Sequence, residues 1–309
     1  MMVSDILKKN QNVHILITGA SSGIGYQAAL RLLNLGYKLT LPCRNDLASD
    51  KLIQNLQNES LIDDDLLKTI ETPILDLADL NTVKECSSKL ILRGQKIDIL
   101  ILNAGLQYTG AREPRWSSQH FELTFAVNHL GHQYFTERII SLLEKSKSPR
   151  VVITASEVHN PNSPGGSFGN PASLGKLNGM KSGKAFLMVD GSDKFNAEKA
   201  YKDSKLCNVL FAQELYRRLK LKGKPISVIA WGPGLVIPRT NKGFFRYSRK
   251  YNELGQRIFS LIVRDLLGIT ESPEKAGELL SQLATQSKYS EPTFSYYTNR
   301  VISIGKRTF

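Results

Sequence analysis

The sequence predicts an α/β fold. It reads as a single doubly wound domain over residues 1–309, with a mostly parallel seven-stranded sheet and helices on both faces. Two observations carry this. Short β-type runs alternate with amphipathic helical stretches along the chain. A glycine-rich turn also joins the first apolar run to the first helical one. The expected strands are 13–17, 39–43, 74–77, 97–102, 151–154, 226–231 and 293–297. The main helices between them are 25–35, 80–92, 119–143, 200–220 and 273–283. The last opens on Ser272-Pro273, a capping residue followed by Pro in the first turn.

Composition narrows the class. The chain has 309 residues, 41% hydrophobic and 8% aromatic, which supports a real core and excludes wholesale disorder. The three cysteines, Cys43, Cys86 and Cys207, have no C-x-x-C spacing. That excludes a disulfide framework and a cysteine-built zinc site, and suggests a reducing compartment. The histidines lack ligand spacing, so no metal is expected, and His129 and His132 should pack or cap on their helix. No apolar run has the length of a signal peptide or a membrane span, so a soluble, cytoplasmic chain is expected.

The net charge is +13, and residues 181–250 carry 16 basic and 5 acidic side chains, +11 of it. Such an imbalance suggests an anionic partner: cofactor phosphate, acidic substrate or anionic lipid. The plainer reading is a solvated basic face. No nucleic-acid motif accompanies the charge, so nucleic acid is not expected.

Two segments break the rhythm. A Gly-rich insertion at 157–199, densest in Gly, Pro, Asn and Ser over 160–183, follows the fifth expected strand. A basic stretch at 235–270 follows the sixth. Both leave the carboxyl edge of the sheet, where open α/β folds bind ligands. Within the second, Arg239, Lys242, Arg246, Arg249 and Lys250 interleave with Phe244, Phe245 and Tyr247. This suits a substrate lid over an apolar ligand, either an ordinary basic lid or one able to rest on an anionic membrane.

The turn after the first strand is Thr18-Gly19-Ala20-Ser21-Ser22-Gly23-Ile24-Gly25. Gly19 allows the tight bend, Gly23 lets backbone approach a pyrophosphate, and Gly25 permits close helix–strand packing. The following helix N-terminus then faces the anion, with Ser21, Ser22 and Ile24 beside it. Together these describe a Rossmann-type dinucleotide site. At the end of the second strand Arg44 can pair with a 2′-phosphate, favouring NADP(H) over NAD, although Asp46 lies two residues on. Asp76-Leu77 should contact the adenine end. Asn103-Ala104-Gly105 should let backbone lie against the cofactor.

Tyr201 and Lys205 are four apart and share one helix face. A nearby ammonium, with the positive charge of an oxidised nicotinamide, should lower the phenol pKa toward use as an acid–base group. Lys205 can also hold the nicotinamide ribose. Ser156 stands past the fifth strand, placed to hold a substrate oxygen, and Asn128 could hold a water that relays protons to Lys205.

These residues resemble the short-chain dehydrogenase/reductase superfamily. TGASSGIG, NAG, Asn128 in VNHLGH, Ser156, YKDSK and Pro233-Gly234 occur in its order, over roughly residues 12–290. The resemblance implies Tyr201 as general acid/base, Lys205 as pKa modulator and ribose ligand, Ser156 as orienting donor and Asn128 as relay support. Pro233 and Gly234 would shape the nicotinamide pocket. AYKDSKLCN, NHLGH and the long insertion further resemble the light-dependent protochlorophyllide reductase branch and its retinol-dehydrogenase-like relatives. That branch uses NADPH, and its photoenzymes typically carry a cysteine where this chain has Leu235.

The expectation is an NADP(H)-dependent oxidoreductase acting on a bulky apolar carbonyl, alcohol or conjugated double bond. Light-driven protochlorophyllide reduction and a non-catalytic NADP-binding sensor or scaffold are the alternatives. A homo-oligomer through the outer faces of the helices beginning near 119 and 200 is left open beside a monomer.

Overall fold

The computed structural model describes residues 10–62, 64–181, 186–237, 248, 251, 253–262, 270–303 and 306–308. Most of the expected lid, including 238–247, 249–250 and 263–269, lies outside them. Six strands form the main sheet: β1 (His14–Ile17), β2 (Lys38–Thr40), β3 (Ile99–Leu102), β4 (Arg150–Thr154), β5 (Ser227–Gly232) and β6 (Phe294–Thr298). Their order is β2-β1-β3-β4-β5-β6, and every pairing is parallel. The chain leaves β1 toward β2 on one side and returns to β3 on the other. A crevice therefore opens at the carboxyl ends of β1 and β3.

The six-stranded sheet corrects the expected seven. Residues 74–77 do not form a strand. The 71–75 segment does run beside β2: Leu41 N–H donates to Glu71 C=O at 2.7 Å, Cys43 N–H to Pro73 C=O at 2.9 Å, and Leu75 N–H to Cys43 C=O at 2.7 Å. Pro73 has no N–H to donate, so only isolated bridges form, at Thr40–Glu71 and Cys43–Ile74. A separate antiparallel pair, β7 (Arg300–Ser303) and β8 (Lys306–Thr308), was not expected.

The longer helices among the described residues are α1 (Gly23–Asn34), α2 (Asp46–Glu59), α3 (Leu80–Arg93), α4 (Gly131–Leu143), α5 (Ala197–Leu221), α6 (Glu253–Ser260) and α7 (Pro273–Thr285). α2 went unread because Asp, Asn and Gln dilute its apolar face to Leu52 and Leu56. The expected helix 119–143 starts later, at Leu123, and is not uniform. Its first turn, Leu123–Phe125, passes into a π turn, Ala126–Leu130, before α4 begins. At the start of α4 Gly131 keeps helical backbone, and a Cβ there would lie 2.6 Å from the Leu77 carbonyl oxygen, so its small size lets the helix ride against Leu77. α5 starts earlier than residue 200, under an Asn196 cap that accepts the Lys199 N–H at 2.9 Å. Tyr201 therefore sits one turn inside it. α7 starts as expected, with Ser272 Oγ accepting the Lys275 N–H at 3.1 Å.

The inner strands β1, β3, β4 and β5 are buried on both faces, as in parallel sheets covered by helices. Ile15, Ile17, Ile99, Ile101, Val152, Ile229 and Trp231 face α1 and α7. Leu16, Leu100, Leu102, Val151, Ile153, Val228 and Ala230 face α3, α4 and α5. The period-2 alternation divides each strand cleanly between the two layers. Arg150 is buried at the start of β4 and donates to the carbonyls of Leu283 and Ala284, both at 2.6 Å, closing the C-terminal end of α7. No helix among the described residues is long and apolar enough to cross a membrane.

α1 and α7 cross where Gly277 meets the backbone of α1. A Cβ at Gly277 would lie 2.5 Å from Gln27 Cβ and 2.8 Å from the Ala28 nitrogen. Gly277→Ala is therefore expected to lower the unfolding free energy by about 1–3 kcal/mol, read from the urea midpoint.

Candidate active site

The crevice is a cleft of about 2100 Å³. It brings together Gly19, Ser21, Ser22, Gly23, Ile24, Arg44, Asp76, Leu77, Asn103, Ala104, Gly105, Ser156, Tyr201, Lys205, Pro233 and Gly234. Of the residues expected at the site, Gly25 and Asn128 stand behind its wall.

The glycine turn shows three different uses of a missing side chain. Gly19 has φ +71, and a Cβ there would lie 2.6 Å from Ala104 Cα. Gly23 has φ +61 but open space beside it. Gly25 packs so closely that a Cβ would fall 2.3 Å from the Gly19 carbonyl oxygen. The Ser22 side chain makes no cap bond, and the first turn of α1 has no acidic residue. Its backbone N–H groups therefore stay available to an anion.

Thr18 holds this turn to the next loop. Its hydroxyl accepts the N–H of Asn103 at 2.9 Å and of Ala104 at 3.1 Å. It also lies 2.8 Å from His132 Nε2. With both lone pairs used, the hydroxyl donates to Nε2, so the imidazole proton sits on Nδ1 and points to the Asn128 carbonyl at 3.2 Å. Burial fits this neutral tautomer, pushing His132 down to about 3. His132 is thus part of the scaffold of the site as well as of its helix. Its separation of 114 residues from Thr18 hid the pairing from sequence inspection.

Asn128 is fully buried in the π turn. Its amide donates to the Leu106 carbonyl and to Ser204 Oγ, each at 3.0 Å, and its Oδ1 accepts the Leu106 N–H at 2.8 Å. The side chain clamps the strand-to-loop turn after Gly105 against α5. Gly105 packs closely here: a Cβ would lie 3.3 Å from Asn128 Oδ1, a tight contact.

On α5, Lys205 is buried and donates to the Thr154 carbonyl at 3.0 Å, a carbonyl it shares with Asn208 Nδ2 at 3.2 Å. Its ammonium lies 5.6 Å from the Tyr201 ring centroid. Burial pushes Lys205 down to about 7. Burial raises the Tyr201 phenol above its ordinary value, while the Ser156 hydroxyl, hydrogen-bonded to it, acts in the opposite direction. Desolvation is thus the larger of the two influences on the phenol.

Arg44 is exposed at the cleft rim and forms no ion pair among the described residues. Asp76 turns inward locally, its Oδ1 accepting the Ala78 N–H at 2.9 Å. The Pro233-Gly234 turn is fastened by Asn299, whose side chain donates to the Pro233 carbonyl at 3.4 Å and to Glu271 at 3.1 Å. Sequence inspection missed Asn299, which follows the sixth strand and carries no motif.

The charge excess also has an internal use. Lys199 pairs with Asp203 at 2.5 Å and Asp190 at 3.0 Å. Lys202 is buried against backbone carbonyls of the insertion. These cations of the basic stretch tie the insertion to α5.

The Lys205 shift sets a pH dependence. An unfolded Lys205 keeps its proton to about 10.5, and the folded one releases it near 7. Between these values the unfolded state binds more protons, so this group makes stability rise with pH. Lys205→Met should flatten that part of the profile, measured by urea unfolding from pH 7 to pH 10.

A family profile described as short chain dehydrogenase matches residues 13–168. Among curated proteins, the chain is 33% identical over 283 residues to "Protochlorophyllide reductase, chloroplastic" of Daucus carota, covering 88% of this chain and 66% of that protein. It is 30% identical over 279 residues to the protein of the same description from Cucumis sativus, again with 88% and 66% coverage. The chain thus spans 66% of the length of these relatives. Among solved structures, the Pseudomonas aeruginosa RhlG/NADP active-site complex superposes with TM-score 0.64 at 18% identity, covering 94% of this chain and 95% of that one. An alcohol dehydrogenase from the archaeon Thermococcus sibiricus, complexed with 5-hydroxy-NADP, gives TM-score 0.61 at 20% identity, with 96% and 99% coverage. With half its length matched by the family profile, on a parallel sheet whose crevice joins the glycine turn to the Ser–Tyr–Lys cluster, the chain belongs to the short chain dehydrogenase family.

Proposed function

We propose that this protein is an NADP(H)-dependent oxidoreductase that transfers a hydride between the nicotinamide and a bulky, largely apolar carbonyl, alcohol or conjugated double bond. The observation that carries the reading is one cleft lined by the glycine turn, Arg44, Ser156, Tyr201 and Lys205. The residues fit a dinucleotide phosphate: Gly23 leaves open space at the start of α1, whose Ser22 side chain makes no cap bond. Arg44 at the rim would pair with a 2′-phosphate. When bound, the nicotinamide supplies or accepts the hydride.

The chain's own residues would handle the proton. Burial keeps the Tyr201 phenol protonated, which suits it to donate to a substrate oxygen during reduction. Ser156, already bonded to that phenol, would hold the same oxygen. Lys205 titrates close to neutrality, so its ammonium form is accessible when a phenolate must be stabilised. Asn128 would keep the backbone around Lys205 in place, supporting a proton path to it.

Similarity at 30–33% identity to protochlorophyllide reductases favours light-driven reduction of that pigment as a second reading. A spectral change on illuminating protein, NADPH and pigment mixed in the dark would support it; an unchanged spectrum removes it. For the first reading, Tyr201→Phe should reduce turnover on carbonyl substrates by about 10²-fold or more while NADPH binding persists. Arg44→Ala should weaken NADPH binding by about tenfold and leave NADH binding nearly unchanged. Wild-type turnover in Tyr201→Phe would overturn the mechanism.

A further inference from the structure

The first part of the insertion is held by more bonds than a passive surface loop needs. Lys202 is buried one residue beyond Tyr201, and its ammonium donates to the carbonyls of Gly166 at 3.1 Å, Phe168, and Asn170 at 3.1 Å. An ammonium has three N–H donors, and all three are engaged here. Ser163 Oγ accepts the Gly166 N–H at 3.0 Å and donates to the Glu157 carbonyl at 2.7 Å. Gly166 sits so tightly that a Cβ would fall 1.8 Å from the Asn160 carbonyl oxygen, and Gly169 takes φ +65. Further along, Ser173 N–H donates to Asp203 at 2.8 Å, and Lys199 donates to the Ser173 carbonyl at 2.8 Å.

This fixed backbone displays Phe168. The side chain is 75% exposed and lines the same cleft as Ser156 and Tyr201. Exposing a large aromatic is unfavourable in water, and a phenyl side chain with only two rotatable bonds loses little entropy on contact. The same helix carries Tyr201 for the chemistry and Lys202 for the loop, so it sets the distance between the two.

We propose that residues 163–170 form a preset wall of the substrate site, that Phe168 recognises a flat apolar group, and that Lys202 is the positioning residue that holds it. The proposal rests on the oxidoreductase reading and names the substrate feature it selects. Recognition comes from stacking of the ring on an extended π surface.

The test titrates 1-pyrenecarboxaldehyde, a flat apolar aldehyde, by fluorescence, with and without NADPH, in the full-length protein. Phe168→Ala should raise its Kd by about tenfold while NADPH affinity holds. Lys202→Met should do the same and also speed hydrogen exchange at the amides of 166, 167 and 173. Lys202→Arg, which keeps the donors, should recover part of both. If the aldehyde is turned over, the loss in Phe168→Ala should fall on KM more than on kcat. Wild-type protein that binds NADPH but not the aldehyde overturns the wall, as does unchanged affinity in Phe168→Ala. Failure to bind NADPH instead overturns the oxidoreductase reading, and the aldehyde titration still decides the wall separately.

Discussion

The Thr18 hydroxyl joins three pieces of chain at the carboxyl end of the sheet. It accepts from Asn103 and Ala104 and donates to His132. Through His132 it reaches the Asn128 carbonyl, and through the Asn128 amide it reaches Leu106 and Ser204 on α5. The glycine turn, the Asn103–Gly105 turn and the helix bearing Tyr201 are thus one hydrogen-bonded unit. Such a buried network is stable only when every member is satisfied. Here the neutral His132 satisfies both neighbours, and burial holds it neutral. A cofactor in the crevice would therefore meet a surface whose parts cannot shift independently.

The second constraint is the dryness of α5. Lys205, Asn208, Ser204, Asp203 and Lys202 are all buried on a helix that also carries the phenol. Each polar group has a partner, yet the partners differ in kind. Lys202 takes three carbonyls, Asp203 takes Lys199 and a backbone N–H, and Lys205 takes one carbonyl. The least supported cation is the one whose pKa falls to about 7. Burial with few partners destabilises charge, and that brings Lys205 to the range where proton exchange at neutral pH is accessible.

The same helix explains why so much positive charge gathers in one stretch of chain. Part of the +11 over residues 181–250 is internal: Lys199, Lys202 and Lys205 bind the insertion or the sheet edge. Other members make exposed pairs, as Arg217 and Arg218 do with Glu214. Surface pairs of this kind contribute little to stability.

Local patterns in the sequence determined the alternation of strands and helices, the glycine turn and the Tyr201–Lys205 pair, because each depends on residues close together in the chain. The start of α7 was legible for the same reason, since Ser272 and Pro273 act within one turn. The run 74–77, expected as a strand, instead follows Pro73 as a segment that only bridges β2. What only the tertiary structure decided were long-range matches. Gly131 lets its helix pass close to Leu77, far back in the chain. Thr18 finds His132, Asn299 finds Pro233, and Lys202 finds the carbonyls of 166–170. Backbone carbonyls and N–H groups carry no sequence signature. Neither does desolvation, which raises the Tyr201 phenol and lowers the Lys205 ammonium.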